Sequence, residues 1–118
     1  MIVKLKFSID QVFIIAKLLK KVHSLNFAAL SVEEKINASI GAELYILFEK
    51  KKLSIQQKLD LLNRDKKISL SLKYYEVWAL KKLFVNYIAL LDNQYQSLNA
   101  QNVINLLDKK VNDGNDEL

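Results

Sequence analysis

Lysines carry the first chemical suggestion in this chain. Lys17, Lys20 and Lys21 recur at i, i+3 and i+4, so a helix would gather them on one face. Lys81 and Lys82 follow in a segment where Arg64, Lys66, Lys67 and Lys73 interleave with Tyr74, Tyr75, Trp78 and Phe84. Cations for phosphates and rings for bases are the ingredients of single-strand nucleic-acid binders. If the helix of Lys17 packs beside the helix of Lys81, then Lys17, Lys20, Lys21, Lys81 and Lys82 form one basic interaction face. Tyr74 and Tyr75 are adjacent, so both cannot point inward, and one is expected at the surface. Helical spacing places Trp78 and Phe84 in the core.

The quality of that charge limits what it could recognise. The bases are 17 Lys and a single Arg, Arg64. A guanidinium grips phosphates and base edges with two bonds, whereas an ammonium acts as a point charge. Nucleic-acid binding through these lysines is therefore expected to be weak, non-specific and strongly salt-dependent. The Lys bias, with ten Asn and eleven Ile, is what AT-rich coding produces, and it points to a low-GC bacterium or a phage of one. The charge is also uneven. Residues 1–30 and 64–91 each carry +4, 31–63 carry 0 and 92–118 carry −3.

Catalytic constellations are not legible. His23 is the only histidine, and no Ser–His–Asp or His–Cys set can be assembled around it. Glu33 and Glu34 sit where a helix would begin, and acids there stabilise the positive end of its dipole. Glu43 and Glu49 offer no specific pairing for carboxylate chemistry. The chain has no cysteine, hence no disulfide and no thiolate ligand. Proline is missing and the only glycines are Gly41 and Gly114, which argues against phosphate-cradling loops and against an all-β fold. The expectation is a protein that is not an enzyme, with no cofactor and no metal site.

The elements that would position these residues follow from periodicity. Val3, Leu5 and Phe7 alternate with Lys4 and Lys6, which predicts a strand over about 2–7. Ile68, Leu70 and Leu72 alternate with Ser69 and Ser71, which predicts either a second strand over 68–72, available to pair with the first, or an extended lead into the next helix. Three Ser residues, Ser8, Ser31 and Ser54, each precede Gln or Glu by three positions, the signature of a capping box. They predict helices over 9–25, 32–51 and 55–63. The stripe of the second would be Val32, Ile36, Ile40, Leu44, Leu47 and Phe48. A fourth helix, over 73–91, is apolar almost all round, and a fifth runs from an Asn99 cap to Val111 after a loop at 92–98. The central core is expected to contain Trp78, Phe84, Leu19, Ile40 and Leu44.

Leu5-Lys6-Phe7 leading to Val12-Phe13 is echoed by Leu70-Ser71-Leu72 leading to Val77-Trp78, at an offset of 65. Either an ancient duplication or a shared local grammar would produce this.

The expected fold is mainly α: a compact bundle of four to five helices with two short strands, in a single helical domain over 1–112 with an acidic, frayed tail at 113–118. No apolar run approaches the roughly 20 residues of a membrane span. Asp10 and Lys17 bracket the first apolar run and no small-residue cleavage site follows it, unlike a secretory leader. A cytoplasmic protein is expected, or a virion component if phage-encoded. The function expected first is a non-catalytic interaction or structural subunit of a larger assembly, with a protein partner or a second copy. The alternative is a nucleic-acid-binding accessory protein that uses the lysine face.

Overall fold

The computed structural model describes residues 1–58 and 66–116. The chain runs β1 (Ile2–Ser8), α1 (Ile9–His23), a 3₁₀ turn at Phe27–Ala29, α2 (Val32–Gln57), β2 (Lys67–Lys73), α3 (Tyr74–Tyr87), a 3₁₀ turn at Ile88–Leu90, and α4 (Gln94–Asp116). The fold is mainly α, four helices on a two-stranded antiparallel sheet. Leu5 lies opposite Leu70, Val3 opposite Leu72 and Phe7 opposite Ile68. Apolar thus meets apolar on one face, while Lys4, Lys6, Ser69 and Ser71 are exposed. Two strands alone are marginal in water, and the helices cover the apolar face. Phe7 meets Phe48 of α2 edge-on, with ring centroids 5.8 Å apart, and Phe7, Phe48 and Phe84 are all fully buried.

The offset of 65 is structural. Ile2 and Lys67 open the strands, Ser8 and Lys73 close them, and Ile9 and Tyr74 begin the helices, each pair 65 residues apart. Each half then adds a 3₁₀ turn and a second helix. Leu5 and Leu70 correspond under the offset and are also direct partners across the sheet, so a local two-fold axis passes between them. The corner hydrogen bond repeats as well. The Ser8 N–H donates to Gln11 Oε1 and the Lys73 N–H to Glu76 Oε1, both at 2.8 Å. Corresponding core positions coincide: Val12 with Val77, Ile15 with Leu80, Leu18 with Leu83 and Leu19 with Phe84 are all buried.

Ser8 and Ser31 open helices through full capping boxes, their Oγ atoms accepting from the Gln11 and Glu34 N–H at 3.1 and 3.2 Å. Ser54 does not. α2 runs through it to Gln57, so no helix starts at 55, and residues 59–63 of that expected helix lie outside the described residues. Nothing in 50–54 breaks a helix, and Ile55 falls seven positions after Phe48, so continuing the helix buries it on the same inner face. α1 and α3 end earlier than expected, and a 3₁₀ turn follows each. α4 starts at Gln94 rather than after Asn99, and its cap is Asn93, whose Oδ1 accepts from the Gln96 N–H at 2.9 Å. Tyr95 and Leu98 in its first turns are exposed, so no apolar period marked the segment. α4 remains helical to Asp116, beyond the expected end at Val111.

Two expectations for the core need correction. Phe84, Leu19 and Leu44 are buried and Ile40 is half-buried, but Trp78 is 40 % exposed. α3 turns Val77, Leu80 and Phe84 inward; Trp78 is rotated about 100° from Val77 and shares the outer edge with exposed Val85. The inner face of α2 is Asn37, Gly41, Leu44, Phe48 and Ile55, rotated from the expected stripe. Gly41 explains the rotation. A Cβ there would lie 2.7 Å from Leu83 Cδ1 and 3.6 Å from Leu19 Cδ2, so α2 packs on α1 and α3 along its glycine.

Candidate functional site

The five candidate lysines fall into two groups with different engagements. On α1, Lys17 Nζ and Lys21 Nζ each stand 3.5 Å from a carboxylate oxygen of Asp92, which follows the second 3₁₀ turn. The charge of Lys21, with the hydrogen bond and charge of Lys17, holds the Asp92 carboxyl below its usual pKa. Lys20 is exposed beside them. Lys17, Lys20 and Lys21 line a groove of about 600 Å³ between α1 and α2, together with Lys52, Glu49 and the rings of Phe13 and Tyr45. Lys52 Nζ stands 5.8 Å from the Phe13 ring centroid, and His23 stacks on Tyr45 with centroids 6.1 Å apart.

On α3, Lys81 Nζ donates to Asp108 Oδ1 of α4 at 2.6 Å. Lys82 Nζ lies over the Trp78 ring, 4.7 Å from its centroid, and Lys81 Nζ is 5.7 Å from the same ring. Under the 65-residue offset Lys82 corresponds to Lys17 and Trp78 to Phe13. The two groups therefore decorate corresponding helices, one in each half. Of the two tyrosines, Tyr75 is the exposed one. Tyr74 is half-buried and its hydroxyl donates to the Val111 carbonyl at 3.3 Å.

The outward face of α2 is a surface the sequence reading did not isolate. Val32, Ile36, Ser39, Glu43, Ile46, Lys50 and Leu53 are separated alternately by four and three residues, so they form one straight seam. All seven are exposed. The four aliphatics are 75, 57, 58 and 51 % exposed at Val32, Ile36, Ile46 and Leu53. α4 provides an internal comparison. Its buried Ala100, Val103 and Leu107 stand 59 residues after buried Gly41, Leu44 and Phe48 of α2. At the same offset Asn102, Asn105, Lys109 and Asn112, all exposed, occupy the positions of Glu43, Ile46, Lys50 and Leu53. Tyr95 stands in the place of Ile36, its hydroxyl donating to Asp10 Oδ2 at 3.0 Å, and Leu98, exposed, stands in the place of Ser39.

No protein-family model, curated protein or solved structure matches the chain. Its function has to be read from these surfaces. No helix among the described residues is long and apolar enough to cross a membrane. The alternating four-and-three spacing of α2 was present in the sequence, but a single core-facing stripe absorbed Val32 and Ile36, and the seam through Ile46 and Leu53 was missed.

Proposed function

We propose that this chain is a non-catalytic interaction subunit that docks a helix against the outward face of α2. The contrast between α2 and α4 carries the reading. One molecule contains two corresponding outer helix faces. From its middle onward that of α4 is asparagine and lysine, as water favours, while α2 keeps Ile46 and Leu53 in line with Val32 and Ile36. Scattered exposed aliphatics are ordinary, but four of them aligned on one helix face, with Ser39, Glu43 and Lys50 between them, suit a docked partner better than water. A helix laid along that seam would bury it through the packing of a coiled coil. The test is affinity purification from the native host with wild-type chain and with Ile36→Lys and Ile46→Glu. The variants are expected to keep the wild-type circular dichroism and melting temperature and to lose the co-purifying protein.

The lysine groove between α1 and α2 favours a second reading, a non-specific polyanion site. Asp92 already engages Lys17 and Lys21, and Asp108 engages Lys81, which lowers the charge available to phosphates. Fluorescence polarisation against random oligonucleotides should show binding no tighter than about micromolar at physiological salt. The log-log salt slope should be about −0.9 for each lysine engaged. Nanomolar, sequence-discriminating binding would put this reading first.

A further inference from the structure

We propose that the outer face of the sheet, walled by α4, is a binding site for a condensed phosphate chain. Strand alternation turns Lys4 and Lys6 of β1 and Ser69 and Ser71 of β2 to this face. The register sets Lys4 opposite Ser71 and Lys6 opposite Ser69, so each lysine has a serine as its cross-strand neighbour. α4 brings Lys109 and Lys110 alongside, and these six residues line a groove of about 600 Å³. That is the size of a small-molecule site.

Charge says what would fill it. Four lysines line the groove, and no carboxylate does among the described residues. None of the four pairs with an acid of its own chain among those residues. The groove between α1 and α2 is of equal size and gives the contrast, since Glu49 lines it and Asp92 holds Lys17 and Lys21. Lys67 and Lys73, exposed at the two ends of β2, extend the positive field along the sheet. Lysines on a short sheet are ordinary protection against stray strand pairing, which accounts for Lys4 and Lys6. It does not account for Lys109 and Lys110, which a separate helix brings to the same groove.

The lining also points to the kind of anion. An ammonium attracts phosphate as a point charge, and a serine hydroxyl donates to its oxygens. Lys4 and Lys6 stand about 7 Å apart along the strand, and Lys109 and Lys110 are consecutive, so four charges converge on a short length. Several linked phosphates concentrate negative charge over such a length. A nucleic-acid strand or an acidic peptide spreads one charge over each residue, and the strand is held by rings under its bases. No ring lines this groove among the described residues. A nucleoside triphosphate and an inorganic polyphosphate present the same chain of phosphates.

The test is isothermal titration of the full chain at low salt with tripolyphosphate, ATP, inorganic phosphate, oligothymidylate and polyglutamate. Tripolyphosphate is expected to bind and to raise the melting temperature, with inorganic phosphate at least ~10-fold weaker. Lys6→Gln with Lys109→Gln, both at exposed positions, should weaken tripolyphosphate at least ~10-fold with an unchanged circular dichroism spectrum. Lys20→Gln with Lys52→Gln, in the other groove, should change it less than ~2-fold. Tripolyphosphate and ATP binding alike assigns the site to the phosphate chain itself. Binding of tripolyphosphate without ATP assigns it to inorganic polyphosphate, and the reverse to a nucleoside triphosphate. Binding of neither at about 1 mM overturns the proposal, as does a loss that is equal in the two double variants. Oligothymidylate or polyglutamate held more tightly than tripolyphosphate, and released by the Lys6 and Lys109 changes, also overturns it and gives the groove to that polymer.

Discussion

Asp92 owes its low pKa to two ammonium groups, and that has a pH signature. Its carboxyl is depressed from the usual 3.8 by Lys21 first and then Lys17. A depressed acid stabilises the fold above its unfolded pKa and loses that contribution as pH falls through the folded one. Asp92→Asn should therefore lower the denaturation midpoint near neutrality, with the difference from wild type fading below about pH 4. Urea titrations of both proteins between acid and neutral pH measure this, and a difference that persisted undiminished in acid would separate Asp92 from its lysines. Gly41 poses a steric question. Alanine there would gain helix propensity but push on Leu83, which is buried. Valine adds β-branched bulk at the same crossing, so Gly41→Val should cost about 1–3 kcal/mol. An unchanged urea midpoint would show that α2 can back away from α1 and α3.

At the level of elements, the caps make the sharpest comparison. Ser31→Ala removes the acceptor for the Glu34 N–H and should cost about 1 kcal/mol. Ser54→Ala, inside α2, should be neutral or stabilising by a few tenths of a kcal/mol, since alanine is the better helix former. Equal losses at both positions would mean that a helix does begin at Ser54. The capping pattern was legible at Ser8 and Ser31 because a change of chain direction accompanies it there. At Ser54 the same pattern lies within uninterrupted helix, and only Ile55 joining the face of Phe48 distinguishes it. Both strands were legible from period two in Val3–Phe7 and in 68–72, although an extended lead into α3 competed at the second until its pairing with β1 was seen. The depth of a side chain was less so. Trp78 has a core-type side chain at helical spacing, yet one residue of rotation from Val77 puts it under Lys82. The seam on α2 was hidden for a related reason. A helix apolar on two faces gives periodicity no single direction, and only Gly41 says which face is pressed against neighbours. The lysine positions and their division between two helices were readable, but not their aspartate partners.

For the whole molecule, the repeat of strand, helix, 3₁₀ turn and helix means that two similar halves meet across one short sheet and along their helices, α2 against α3 at Gly41 and Leu83. Within each half the helices are neighbours in sequence, and α1 against α2 and α3 against α4 are joined by brief connections. The sheet between the halves is different, because Leu5 and Leu70 meet only after 65 residues of chain are brought back. Closing so long a loop costs entropy before any strand contact rewards it. The pairing at Leu5 and Leu70 is therefore expected late on the folding path, after each helical hairpin has formed. Leu70→Ala and Leu72→Ala should speed unfolding and leave the refolding rate nearly unchanged. Leu19→Ala and Leu44→Ala, within the first hairpin, should slow refolding by a large share of their destabilisation. Stopped-flow refolding and unfolding of the four variants measures the order. A refolding rate that falls with Leu70→Ala as steeply as stability does would mean that the strands meet first and the helices gather around them.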